Sequence, residues 1–214
     1  MTKRIIALSA FIGAISLSIF LFMKVSRGPL IATTESPDKT YKLQLHGRKS
    51  RPMVPILEHA VYFDLFRRGT EVSSRQKLHS GDWFDPAFEN LYTDHSWVNN
   101  STLMFYREAP EGRDTVNVTN NTARPIKFLQ VTTPELFLIF DLQPQARTRL
   151  SASGQTWLSW IVVEGEFEDG TSIPWKGVNF TIASGLKGPF TYDVAINDDG
   201  PTISSPQLPV YRPQ

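Results

Sequence analysis

Past residue 40 the chain repeats its large apolar side chains at every second position, and that period restricts what it can fold into. In "YKLQLH", Tyr41, Leu43 and Leu45 alternate with Lys42, Gln44 and His46, the pattern of a strand with one buried and one wet face. "AVYFDLFRRGTEVSS" continues it: Val61, Phe63 and Leu65 alternate with Tyr62, Asp64 and Phe66, and Arg67 to Gly69 supplies a turn before a second strand. A helix needs recurrence every three or four positions. The best match to that period is "DPAFENLY", where Asp85 can cap a short helix and Pro86 can occupy its first turn. The second half of the chain reads the same way, with strands expected in "STLMFYRE", "TVNVTNN", "PIKFLQV", "ELFLIFDL", "TRLSA", "SWIVVEGEF" and "GVNFTI". Asp169-Gly170 is placed for a tight hairpin turn.

One of these segments, "LFLIFDLQP", has no alternation. Leu136 to Phe140 are all large and apolar, and Pro134 and Pro144 punctuate the run. It is too short to cross a bilayer as a helix. As a strand it turns Leu136, Leu138 and Phe140 one way and Phe137 and Ile139 the other, so both faces need cover. The cover is expected from the rest of the chain, with Trp157 and Trp160 as candidates; an open face would instead be an interaction surface.

The N-terminal stretch is of another kind. Ile5 to Met23 carries no charge, close to the roughly 20 residues a helix needs to span the hydrocarbon core. Lys3 and Arg4 precede it, and Lys24 and Arg27 follow. A cleaved signal has a shorter apolar region and a small-residue cleavage site, whereas this run continues through Ile19, Phe20, Leu21, Phe22 and Met23. A signal-anchor over residues 1–27, with 5–23 in the membrane, is the expectation. The basic residues bracket the span almost evenly, so topology is argued from the short N-terminal tail staying in the cytoplasm while the remainder crosses. The C-terminal part is then extracytoplasmic, in the periplasm or at the cell exterior.

Composition excludes several classes. There are 22 basic and 21 acidic residues, so no strongly basic surface announces nucleic acid. Cysteine is absent, which removes disulfides, thiolate metal sites and a cysteine nucleophile. The glycines form neither a phosphate-binding loop nor a dinucleotide fingerprint, and no serine elbow accompanies "LSASGQ" or "SSPQLP".

Residues 28–40 read as a linker, and the charged stretch "REAPEGRDT" suggests a boundary. The expected organisation is mainly β: an N-terminal transmembrane helix, a first β domain over 28–113, a second over 114–200 and a Pro-rich tail over 201–214. Many short strands with frequent turns suggest two small β-sandwich-like units. In the second, "VNVTNNTARPIKFLQV" followed by "FDLQPQARTRLS" resembles the opening strands of immunoglobulin-like domains of envelope proteins, with an Asn-rich bend and a later Pro turn between strands. That resemblance implies an immunoglobulin-like sandwich.

The densest chemical constellation is "HSGDWFDPAFENLYTDHSW", with His79, Asp82, Asp85, Glu89, Asp94 and His95 among Trp83, Phe88, Tyr92 and Trp97. Imidazoles and carboxylates bind metals and exchange protons, yet the spacing matches no known ligand signature. No catalytic, cofactor or metal residue is assigned. Aromatic anchors among charges suit recognition, so Trp83, Phe88, Tyr92 and Trp97, together with Phe137 and Ile139, form the candidate interaction surface. "HGRKSRP" concentrates Arg48, Lys49 and Arg51 near the anchor, a composition that is either solvated or attracted to anionic head groups. Asn99, Asn100, Asn117, Asn120 and Asn179 each begin a glycosylation sequon, read here as turn chemistry. The expected function is that of a membrane-anchored binding or scaffolding protein of the cell envelope, not an enzyme, with another envelope protein as partner and no cofactor. The alternatives are a carrier of a lipid or glycan between sheets and a metal-dependent hydrolase.

Overall fold

The structure, a computed structural model, describes residues 30–47, 61–78, 95–105, 113–133, 135–153, 158–182 and 188–210. These fold mainly into β-strands arranged in several antiparallel sheets. The expected membrane span at 5–23 and the short helix in "DPAFENLY" lie outside the described residues. Among the described residues no helix is long and apolar enough to cross a membrane.

The chain divides into two compact units. The first is a four-stranded antiparallel meander of β1 (Leu30–Glu35), β2 (Tyr41–Gly47), β3 (Val61–Arg67) and β4 (Thr70–Leu78). The alternation in β2 is realised, and that in β3 holds except at Asp64: Leu43, Leu45, Phe63 and Leu65 are fully buried and Asp64 is buried as well, while Lys42, Gln44 and His46 are half-buried. Arg68 and Gly69 both take positive φ, 49° and 82°, which matches the twist of a two-residue hairpin. Residues 30–35, read from the sequence as linker, form β1 and pair with β2. Their small and β-branched residues, with only half-buried positions at best, make an edge strand whose pattern is too weak to read. Among the described residues this unit holds a single sheet.

The second unit contains two sheets. One has the order β10-β7-β13-β14, built from β7 (Arg113–Asn120), β10 (Arg147–Ser153), β13 (Thr191–Asn197) and β14 (Gly200–Ser204). The other has the order β12-β11-β8-β9-β6-β5, built from β5 (His95–Asn99), β6 (Thr102–Phe105), β8 (Ile126–Thr132), β9 (Leu136–Leu142), β11 (Leu158–Phe167) and β12 (Ser172–Thr181). Pairing is antiparallel except between β7 and β13. Val116, Val118, Leu150, Tyr192 and Val194 of the smaller sheet share one buried cluster with Leu129, Val131, Phe137, Ile139, Ile161 and Val163 of the larger. Each such side chain contributes about 1.5–3 kcal/mol when fully buried. Two facing sheets with a common core fit a β-sandwich.

Two segments differ from the sequence reading in position. β5 and β6 fall on the N-terminal side of the boundary expected at residue 113, yet β6 pairs with β9, Leu103 opposite Leu138, so residues on both sides of that charged stretch share one sheet. Residues 200–204, expected to begin an extended tail, pair with β13 as an edge strand. Pro201 is tolerated there, Leu208 sits in the buried cluster, and Val210 bridges Phe180.

A buried amide holds the strand crossing after β7. Asn120 is fully buried; its Nδ2 donates to the carbonyls of Arg124 at 2.8 Å and Leu142 at 3.0 Å. Its Oδ1 accepts from the N–H and the hydroxyl of Thr122. The Asn-rich bend is therefore a structural node, and the Asn120 side chain is enclosed rather than offered as a sequon. Asp114, also buried, performs a similar task on the loop entering β13, accepting from the Phe190 N–H at 2.8 Å and the Tyr192 hydroxyl at 3.3 Å.

Candidate interaction face

Directly paired residues share a face of a sheet, so the registers separate the two faces of the six-stranded sheet. Phe137 and Ile139 point into the shared core and are each 1% exposed. As members of an interaction surface they are therefore corrected: the cover they need comes from the facing sheet. Leu136, Leu138 and Phe140 lie on the opposite, outer face with Leu103, Phe105, Phe128 and Gln130 across from them, and all of these are buried.

The outer face changes character toward both edges. On β5, Trp97 is half-buried, and its ring lies 5.8 Å from that of Phe140, tilted by 44°. His95 lies 5.8 Å from Phe105. Of the aromatic anchors expected from sequence, Trp83, Phe88 and Tyr92 lie outside the described residues, as do His79, Asp82, Asp85, Glu89 and Asp94. Among the described residues no group of three His, Asp or Glu side chains gathers in a way that could hold a metal ion. Trp157 is likewise outside them, and Trp160 is half-buried on β11, opposite Asn179.

At the other edge stands a residue the sequence reading passed over. Val163 pairs with Lys176 and Gly165 with Ile173, so β12 has one more residue than β11 across Pro174 and Trp175. This is a bulge, which bends a strand and re-aims a side chain. Trp175 is 61% exposed. A Cβ on Gly177 would come 2.8 Å from its Cη2 and 3.0 Å from its Cζ2, so the indole lies across the glycine. Val162 Cγ2 is 3.5 Å from the same point and flanks it. One side of the ring is held by the strand, and most of the side chain meets solvent. "PWKG" is the sequence signal: proline at a bulge, an aromatic, and a glycine two positions on that leaves room for it.

Polar side chains pair between β8 and β11. Gln130 Nε2 donates to Glu164 at 2.7 Å, and Lys127 pairs with Glu166. Lys127 is an extra residue of β8, since Phe128 opposes Glu166 and Ile126 opposes Phe167; the bulge aims its side chain at that carboxylate. In the first unit, His46 Nε2 lies 3.4 Å from Asp64 Oδ2, with side-chain exposures of 16% and 6%.

Comparison with known proteins finds nothing similar: no family model, no curated protein and no solved structure matches this chain.

Proposed function

We propose that this chain is a membrane-anchored, extracytoplasmic binding or scaffolding protein of the cell envelope that acts by protein-protein recognition. The anchor is the uncharged run from Ile5 to Met23, and the mass of the chain then lies outside the cytoplasm. We read the second unit as an immunoglobulin-like sandwich. In support, its two sheets share a core and the chain crosses between them repeatedly. Its strand order departs from that of immunoglobulin constant domains, because β7 is flanked by β10 and β13, so the likeness is one of architecture.

The observation that carries recognition is Trp175. An indole 61% exposed yet seated on Gly177 offers a large contact area with little freedom left to lose on binding, the property that makes tryptophan an interface anchor. Carriage of a lipid or glycan between the sheets has less support, since Phe137 and Ile139 are packed among side chains of both sheets.

The test is affinity capture from detergent-solubilised membranes through a tag at Gln214, with protease accessibility of that tag in spheroplasts. One envelope protein held by the wild-type chain and by Val98→Ala, but released by Trp175→Ala, is the expected result. A tag protected from protease reverses the topology. Capture that Trp175→Ala leaves unchanged removes this face from the account.

A further inference from the structure

We propose that Asp114 is a pH-sensitive latch: in acid it holds the leading end of β13 against β7, and as pH rises that end opens locally while the rest of the sheet stays closed. The device needs neither the anchor nor the face around Trp175. The registers locate it at one end of the parallel pair, where Thr191 lies beside Thr115 and Tyr192 beside Val116. At the other end Ile196 lies beside Asn120, and the Asn121 N–H donates to the Ile196 carbonyl at 2.9 Å.

Two observations make the leading end separable. The first is an overhang. β14 pairs with β13 from Asp193 to Asn197, so Thr191 and Tyr192 extend past it and, among the described strands, pair with β7 alone. Two side chains tie the other side: the Thr191 N–H donates to Gln207 Oε1 at 3.0 Å, and the Thr191 carbonyl accepts from Ser205 Oγ at 2.7 Å. The second is the clasp on Phe190. Asp114 Oδ1 accepts from the Phe190 N–H at 2.8 Å, and the Thr115 N–H donates to the Phe190 carbonyl at 2.8 Å. A strand end held by so few bonds opens at a lower free energy than the whole fold.

The surroundings set the direction. Asp114, Phe190, Tyr192 and Ala152, which lies opposite Asp114 on β10, are all buried. Of the titratable groups, Tyr192 reaches the carboxylate with its hydroxyl, at 3.3 Å. Arg147, Arg149 and Asp193 stand in the rows of Thr119 and Asn117, on the other face of the sheet. β12 contributes Phe180, its ring 5.2 Å from that of Tyr192, while Lys176, the charge of that strand, lies four positions away. Among the described side chains no cation faces Asp114, and burial outweighs the two hydrogen bonds in raising its pKa. Protonated, the carboxyl keeps Oδ1 for the Phe190 N–H and can offer its proton to the Tyr192 hydroxyl. Ionised, it is a charge without a counter-ion in an apolar site, and opening relieves it by admitting water. Closure is therefore favoured most below about pH 3.8, and the advantage is lost as pH rises through the folded pKa.

The test uses the full-length, isotope-labelled chain in detergent micelles. Amide hydrogen exchange is read residue by residue from pH 3.8 up to neutrality and corrected for the intrinsic pH dependence of exchange. Expected at Thr115 and Phe190 is a loss of protection of about tenfold for each pH unit between that value and the folded pKa. Asn121, at the far end of the same strand pair, should change by less than about twofold. Asp114→Asn should hold all three level. Equal loss at Thr115 and Asn121 means that the whole fold opens and overturns the latch. Protection at Thr115 that does not vary with pH overturns it too, as does a loss that Asp114→Asn retains. The comparison of Thr115 with Asn121 is made within the wild-type chain, so it decides the matter even where the variant fails to fold.

Discussion

The side-chain amide of Asn120 donates to the carbonyl of Leu142 at 3.0 Å, joining the end of β7 to the end of β9 across 22 positions of sequence. Asn120→Ala removes both donors of that amide and the acceptor of Thr122, leaving buried polar groups without partners. Each such group costs roughly 1–3 kcal/mol, so an overall loss of about 3 kcal/mol is expected in urea denaturation. Asn121→Ala, which gives up one exposed bond to Asn197, should stay within about 0.5 kcal/mol of wild type.

Ile139 is 1% exposed in the shared core. Ile139→Asp buries a carboxylate without a partner and should cost at least about 4 kcal/mol, whereas Ile139→Val should cost about 1 kcal/mol. Equal denaturation midpoints for the aspartate variant and wild type would mean that this face is open.

Asp114 gives the fold a dependence on pH. Burial raises its pKa above the ordinary carboxylate value, against the lowering effect of the Phe190 N–H and the Tyr192 hydroxyl. A raised pKa means that the folded chain holds a proton which the unfolded chain releases, so the stability contributed is present below about pH 3.8 and is lost as pH rises through the folded pKa. Asp114→Asn keeps an acceptor for the Phe190 N–H and cannot ionise. Its stability should be flatter than that of wild type as pH rises from 3.8, measured as denaturation midpoints across that window.

Gly177→Ala tests whether the seat of Trp175 matters separately from the ring. The added methyl would lie 2.8 Å from Cη2, so the indole must lift away while the strand keeps its pairing. Because the ring is mostly exposed, stability should change by less than about 1 kcal/mol for both Gly177→Ala and Trp175→Ala. Partner capture should weaken in both.

Gly165→Ala should behave oppositely. Its added methyl would collide with the Phe128 carbonyl oxygen and lie 3.1 Å from Leu129 Cα, backbone that a rotamer change cannot move. A loss of about 2–3 kcal/mol is expected, read by thermal unfolding.

Much of the β organisation was legible because alternation reports a face directly. Tyr41, Leu43 and Leu45 had only one way to share a buried face, β3 follows from the same reasoning, and β9 was legible as an unbroken apolar run between Pro134 and Pro144. β1 was missed because its edge strand buries little, and β13 and β14 were overlooked although Tyr192, Val194 and Ile196 alternate in one and Pro201 and Ile203 in the other. β5 was read as part of an acidic aromatic segment. The candidate site was less legible: Trp175 becomes conspicuous only when a bulge turns it over Gly177, and a one-residue change of register is invisible in hydrophobicity.

By itself the sequence determined the strand class, the uncharged N-terminal run and the need of β9 for cover on both faces, because these depend on local period and composition. Tertiary structure decided which strands pair, that Phe137 and Ile139 face Val116 and Val118 across one core, and that Asn120 and Asp114 are enclosed. Those outcomes depend on contacts between distant residues, whose free energies are set by geometry and exclusion of water and leave no local period in the chain.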